Sequence, residues 1–322
     1  MAAGHRVTSP VAMKTGNGNS FFLQCCFNKK MPEITRFAPS PTGHLHLGHV
    51  ASALRGWRMA VESGGRFVLR IEDIDTVRCR PRFITDLYAD LEWLGLSWPR
   101  PVRCQSRHMD GYRRVLDGLG ARGLLYPCFC TRRDVMEAAR APHHAPDGTM
   151  VYPGTCRHMD PGRRAALLAS GAPPALRLDM ARALALPGTD ALTWDELGQG
   201  PQPCRPGLFG DVVLARKDVP ASYHLCVTHD DALQGITLVT RGADLRPATA
   251  LHRLLQHIMG WPAPRYSHHG LLCDGTGRRL AKRDGAVSIR AMRAAGMTPA
   301  QVCRAAMAAD HISAVPSATG SL

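Results

Sequence analysis

Arg36-Phe37-Ala38-Pro39-Ser40-Pro41-Thr42-Gly43-His44-Leu45-His46-Leu47-Gly48-His49 follows an extended segment and ends as the opening of a helix. Residues 34–37 read as a strand, and roughly residues 46–63 carry apolar positions at helical spacing. Imidazoles and glycine amides therefore fall at a helix N-terminus, where unpaired N–H groups and the helix dipole favour an anion. Further on, residues 66–70 read as a second strand and residues 82–94 as a second helix. Such alternation indicates an α/β fold, a parallel sheet covered by helices with ligands at the carboxyl ends of the strands.

The period breaks from about residue 124 to 206, a stretch rich in Pro, Gly and Ala that contains Ala141-Pro142-His143-His144-Ala145-Pro146-Asp147-Gly148 and reads as an inserted, loop-rich subdomain. Residues 211–214 resume a strand, 223–233 a helix, 236–240 a strand and 247–259 a helix, so the sheet is expected to be built from two separated halves. One last helical pattern covers residues 291–309. The expected division is an extension at 1–32, a first half of the sheet domain at 33–123, the insert at 124–206, its second half at 207–270, and a basic loop with a C-terminal helical region at 271–322. Residues 1–30 contain no acidic residue and no clean apolar signal segment. They read as a non-native extension or an upstream start before Met31.

The 322 residues suffice for a full-sized core, 45% of them are hydrophobic, and no apolar run is long enough to span a bilayer. A formal net charge of +14 favours a polyanionic partner such as nucleic acid, because each lysine or arginine that neutralises a phosphate releases a counterion. The 11 cysteines are scattered, which fits reduced thiols in a reducing, cytoplasmic compartment, with a metal site among them. Cys128-Phe129-Cys130 and Cys156 could supply three thiolates to one zinc ion. The fourth tetrahedral position is left to the Tyr152 phenol, His143, His144 or water. Such an ion would be structural, replacing the apolar core that a loop-rich segment lacks.

A second basic stretch, Arg278-Arg279-Leu280-Ala281-Lys282-Arg283, puts a lysine in a loop near the end of the chain. Read together with Arg36–His49 and with Arg70-Ile71-Glu72-Asp73-Ile74-Asp75, it resembles the paired signatures of class I aminoacyl-tRNA synthetases, here of the glutamyl type. The resemblance covers roughly residues 33–300. It implies a Rossmann-type catalytic domain with a zinc-containing insert. ATP with Mg²⁺ would be held by His46, Gly48, His49 and Lys282, the histidines and the lysine being catalytic. L-glutamate would be held by Arg36, Phe37, Ala38, Pro39, Ser40, Glu72, Tyr223 and Arg241, and zinc by Cys128, Cys130, Tyr152 and Cys156. A substrate with two carboxylates and one ammonium suits cationic forks, an anionic partner and a polar aromatic wall. Arg279, Ala281 and Arg283 depart from the lysine-rich form of the second signature, and Arg279 keeps the charge but not the reach of lysine.

Beyond Arg283 only 39 residues remain, too few for the usual anticodon-binding module. The short members of this family imply an acceptor other than the tRNA 3′ end, namely the queuosine nucleoside in the anticodon of tRNA(Asp). Two rival readings predict different behaviour: a compact enzyme that charges the 3′ end, and a non-catalytic tRNA- or nucleotide-binding paralogue.

Overall fold

The computed structural model describes residues 31–138, 143–270 and 287–312. The first half runs β1 (Ile34–Phe37), α1 (Leu47–Glu62), β2 (Arg66–Ile71), α2 (Pro81–Trp93), β3 (Arg103–Cys104) and α3 (Met109–Ala121). β1 pairs in parallel with β2, from Ile34 opposite Arg66 to Phe37 opposite Leu69, and β2 pairs in parallel with β3. α1 buries Val50, Ala51, Ala53, Leu54, Gly56 and Ala60 against this sheet. At Gly56 the helix comes so close that a Cβ would lie 3.0 Å from the Thr240 hydroxyl.

Next come β4 (Leu125–Cys128), α4 (Arg132–Ala138), α5 (Pro161–Ala169), β5 (Ala175–Leu178), α6 (Met180–Leu184), β6 (Thr193–Glu196), β7 (Gly200–Pro203) and β8 (Val213–Ala215). β4, β5 and β8 form an antiparallel sheet, so the region expected to be loop-rich has regular structure of its own. Strand pairing crosses the expected boundary at residue 206 in both directions. The β6–β7 hairpin joins the second half through β10, whereas β8 pairs back onto β5.

The second half runs α7 (Tyr223–Leu233), β9 (Leu238–Gly242), α8 (Thr249–Met259), β10 (Arg265–His269), α9 (Ile289–Ala294) and α10 (Pro299–Ile312). β9 and β10 are parallel, and the two half-sheets meet where the Thr237 amide donates to the Ile34 carbonyl (2.9 Å) and Arg36 Nη1 donates to the Thr240 carbonyl (3.0 Å). The strand sequence β3-β2-β1 followed by β9-β10 reverses direction between β1 and β9. That reversal is the switch point at which doubly wound sheets open a ligand crevice. The single last helix expected over residues 291–309 is two helices. Gly296 (φ 84°) ends α9, and the Thr298 hydroxyl caps α10, accepting from the Gln301 amide while the Gln301 side chain accepts from the Thr298 amide. Val302 and Ala306 of α10 join the core formed by α1, β1, β2 and α2.

Candidate active site and candidate metal centre

The turn from β1 into α1 is fixed by its own imidazoles. His46 is the extended N-cap of α1 (φ −129°, ψ 173°), and its Nδ1 accepts from the Gly48 amide at 3.2 Å. His49 Nδ1 accepts from the His46 amide at 3.3 Å, and the two rings lie 3.8 Å apart. With both Nδ1 atoms acting as acceptors, each neutral ring carries its proton on Nε2. Capping and anion binding are therefore compatible, since the cap sets the tautomer that makes Nε2 a donor. The Gly48 amide is taken up by the His46 ring, so Gly48 contributes room: a Cβ there would lie 3.1 Å from that ring.

At the switch point between β1 and β9 lies a cleft of about 350 Å³, lined by Arg36, Phe37, Ala38, Pro39, Ser40, His49, Ser52, Glu72, Tyr223, Thr240, Arg241, Gly242 and Leu245. All eight residues expected to hold an amino acid meet there. His49 borders the same space, and Ser52 follows it one helical turn later.

On the β1–β2 side the charges are balanced. Arg36 Nε donates to Asp231 Oδ1 at 3.0 Å, and the fully buried Arg70 donates to Asp231 Oδ1 (2.8 Å), Gln234 Oε1 (2.9 Å) and Glu72 Oε1 (3.2 Å). Burial pushes the Asp231 carboxyl up, but Arg36 and Arg70 outweigh it and hold the group below its ordinary range. For Glu72 burial prevails over Arg70 and Arg36, and its carboxyl stands above the ordinary value.

The β9–β10 side is built differently. Arg241 donates from Nε to His268 Nε2 (3.2 Å), from Nη1 to His252 Nδ1 (3.0 Å) and from Nη2 to the Thr249 hydroxyl (2.8 Å), and it stands over the Tyr266 ring. Burial, reinforced by the charge of Arg241, pushes His252 well below its ordinary value, and burial lowers His268 as well. Every hydrogen-bond partner of the Arg241 guanidinium among the described residues is thus electrically neutral. Tyr223, first residue of α7 behind the Ser222 cap, forms the wall beside it, its phenol pushed up by burial.

A second constellation lies in the insert. The Sγ atoms of Cys128, Cys130 and Cys156 lie within 4.8 Å of one another. The Tyr152 oxygen is 3.4 Å from both Cys128 Sγ and Cys130 Sγ, and it accepts from the Cys156 amide at 2.8 Å. Tetrahedral zinc with bonds of about 2.3 Å to sulfur and about 2.0 Å to oxygen would separate oxygen from sulfur by about 3.5 Å, which these positions meet. Burial at Cys156 is outweighed by bonds from Tyr152 and the Phe129 and Cys130 amides, which bring its thiol to about 7, whereas burial pushes Cys130 up to about 11 and raises the Tyr152 phenol as well. The His144 ring bonds the Gly148 carbonyl instead, and neither it nor His143 belongs to the group.

Lys282 and its neighbours Arg279, Ala281 and Arg283 lie outside the described residues. The flanks of that segment touch α1 and its cap: His269 Nε2 lies 3.3 Å from the Ser52 hydroxyl, and the Ile289 amide donates to the Leu45 carbonyl at 2.8 Å. Sequence reasoning missed Asp231, His252, His268 and Glu196, and gave Arg70 no role beyond its place in a motif. An arginine within Phe67-Val68-Leu69-Arg70-Ile71 signals a buried charge pair. The other four come from separate elements and carry no local signal.

The family of tRNA synthetases class I (E and Q), catalytic domain, matches residues 34–309. A glutamyl-Q tRNA(Asp) synthetase of Rhodobacter capsulatus is 48% identical over 282 residues, covering 84% of this chain and 98% of that protein. A glutamate–tRNA ligase of Aquifex aeolicus is 37% identical over 82% of this chain but only 54% of its own length. Among solved structures, a glutamate tRNA ligase from Elizabethkingia meningosepticum in complex with its amino acid matches with a TM-score of 0.64 at 30% identity, over 79% of this chain and 52% of that one. The chain spans about half the length of these two ligases.

Proposed function

The chain belongs to the class I tRNA synthetases of the glutamate and glutamine type, and on that premise we propose that it activates L-glutamate with ATP and passes the glutamyl group to the queuosine nucleoside of tRNA(Asp). The observation that carries the substrate reading is Arg241, a buried guanidinium whose partners among the described residues are all neutral, facing a cleft whose opposite wall is already neutralised. A substrate carboxylate supplies the missing charge. Glu72, with one oxygen on Arg70, offers its other oxygen to the substrate ammonium. Similarity to a glutamyl-Q tRNA(Asp) synthetase over 98% of its length supports the acceptor.

In the first step a carboxylate oxygen of glutamate attacks the α-phosphorus of ATP, the bond to the bridging oxygen breaks and pyrophosphate leaves. No general base is needed, since a carboxylate is ionised near neutral pH. The chain supplies alignment and charge: Nε2–H of His46 and His49 toward phosphate oxygens, Lys282 toward the departing charge, and Arg241, Arg36 and Glu72 to hold the amino acid. Mg²⁺ would add neutralisation of the phosphates. In the second step a hydroxyl of the queuosine ring attacks the activated carbonyl carbon, AMP departs, an ester forms and the hydroxyl proton is released.

Incubation with ATP, labelled glutamate and tRNA tests this. Queuosine-containing tRNA(Asp) is expected to take up label and queuosine-free tRNA(Asp) is not; equal labelling of the two rejects the modification reading. Labelling of tRNA(Glu) irrespective of queuosine identifies 3′-end charging. Glutamate-dependent pyrophosphate exchange is expected in the wild type and lost in Lys282→Ala, and its absence from the wild type points to a regulatory paralogue. The four-ligand cluster is read as one structural zinc on Cys128, Cys130, Tyr152 and Cys156. Metal analysis after chelator-free reducing purification is expected to give about one zinc per chain, four ligands making one closed site, and a value near zero removes it. No described helix is long and apolar enough to cross a membrane; we read the activity as cytoplasmic on the ground of its proposed tRNA substrate alone.

A further inference from the structure

We propose that Glu196, which does not line the cleft, is a positioning residue for glutamate: acting through His268, it holds Arg241 in place while leaving its charge unneutralised. The inference rests on the reading of the cleft as a glutamate site. Glu196 ends β6 and is brought to the switch point only because the β6–β7 hairpin pairs onto β10, where Tyr266 lies opposite Glu196. It is 2% exposed, and both its oxygens are engaged. Oε1 accepts from the His268 amide at 2.8 Å, and Oε2 accepts from His268 Nδ1 at 2.7 Å and from Trp194 Nε1 at 3.2 Å.

An ionised carboxylate only accepts, so His268 must carry its proton on Nδ1. Its Nε2 then presents a lone pair, and that lone pair receives Arg241 Nε–H. In the opposite tautomer two N–H groups would face each other, and the guanidinium would be driven from its seat. The logic is that of a carboxylate orienting a metal-bound histidine, with a guanidinium in place of the metal. Thr249 agrees with it, because its hydroxyl accepts from Arg241 Nη2 and lies 3.3 Å from the same His268 Nε2.

The imidazole spacer matters for the charge. A carboxylate placed directly on Arg241 would neutralise it as Asp231 neutralises Arg36. With His268 between them, Glu196 fixes geometry from one ring away. A second spacer works at Nη1: His252 accepts there through Nδ1, which leaves its Nε2–H to donate to His224 Nδ1 at 3.2 Å. Arg241 is gripped at three nitrogens without an ion pair among the described residues.

The test is glutamate-dependent pyrophosphate exchange by the full chain, with KM for glutamate and for ATP measured separately. Glu196→Gln keeps the shape but must turn an NH₂ toward either the His268 ring or its amide. It is expected to raise the glutamate KM on the order of ten-fold or more, with ATP KM and the rate at saturating glutamate little changed. In a His268→Ala background, which itself raises the glutamate KM, adding Glu196→Gln is expected to cost nothing further, since the two act as one unit. Equal deterioration of both KM values, or additive effects of the two substitutions, overturns the relay in favour of a mere staple between β6 and β10. Should Glu196→Gln not fold, His268→Ala alone decides: a raised glutamate KM with unchanged ATP KM supports the relay, and a wild-type glutamate KM overturns it. Wild-type protein without glutamate-dependent exchange would instead remove the glutamate reading, whatever the variants do.

Discussion

The two walls of the cleft hold arginines by opposite means. On the β1–β2 side, Arg36 and Arg70 share Asp231 and Glu72, and two cations meet two carboxylates below the reach of water. On the β9–β10 side, Arg241 is surrounded by two imidazoles, a hydroxyl and an aromatic face. The first arrangement is a finished ion network that shapes the wall. The second is unfinished, and an anion entering the cleft completes it. Buried charge thus serves chiefly the fold on one side, where Arg36 and Glu72 keep only part of their bonding for the ligand, and the ligand on the other.

Paired substitutions separate these roles. Arg70→Met strips the counter-charge from Asp231 and Glu72, and breaking a buried pair in this way is expected to destabilise the fold by about 3–5 kcal/mol. Urea or thermal unfolding would register it directly. Arg241→Gln removes a cation that no carboxylate of the described residues touches, so its melting temperature is expected to stay level or rise. Its glutamate KM should climb on the order of a hundred-fold or more, as when one partner of a desolvated charge pair is truncated. If Arg241→Gln unfolds the protein as Arg70→Met does, the contrast between the walls is wrong.

How much of this was readable beforehand follows the same division. β1, α1 and β2 were legible as periodic elements, and the eight positions expected to hold an amino acid, which meet in one cleft, came from the family resemblance carried by the Arg-Phe-Ala-Pro-Ser run and the motifs around it. α3 and β10 were not picked out. β10 reads Arg-Tyr-Ser-His-His, with hardly an aliphatic residue to mark a strand, because its inward side chains are aromatic or polar, Tyr266 and His268 meeting Arg241 and Ser267 and His269 meeting Arg55 and Ser52 of α1. The break between α9 and α10 was marked by Gly296 and by the Thr-Pro-Ala-Gln capping pattern, but a continuous alanine-rich helical period overrode both. His252, His268 and Glu196 were invisible for a deeper reason: their meaning depends on which strands pair, and β6 reaches β10 from within the insert.

A smaller effect, and one that sharpens the contrast, is the response to pH. Burial, only slightly offset by Asp147, pushes His224 down to about 4, and His252 and His268 are likewise held below their ordinary value. Between pH 6.5 and 4 the unfolded chain binds protons at these positions that the folded chain refuses. Stability is therefore whole above pH 6.5 and declines as pH falls through that window, by at most about 1.4 kcal/mol per pH unit for each histidine held neutral. The carboxylates lose their contribution in the same direction but at lower pH. Asp231 is depressed below its ordinary 3.8, and Glu196, whose burial is outweighed by its bonds from His268 and Trp194, is depressed to about 2, so their contributions survive until the pH drops below the ordinary carboxylate range. Melting temperatures measured from pH 7.5 to 4.5 should fall chiefly below 6.5, whereas the glutamate KM should hold until the pH approaches the lowered folded-state values, where imidazolium begins to repel Arg241. His224→Gln removes one of the three proton sites and should make the decline shallower. A flat profile in the wild type would mean that the imidazoles around Arg241 are not held neutral, and the unfinished wall would lose its physical basis.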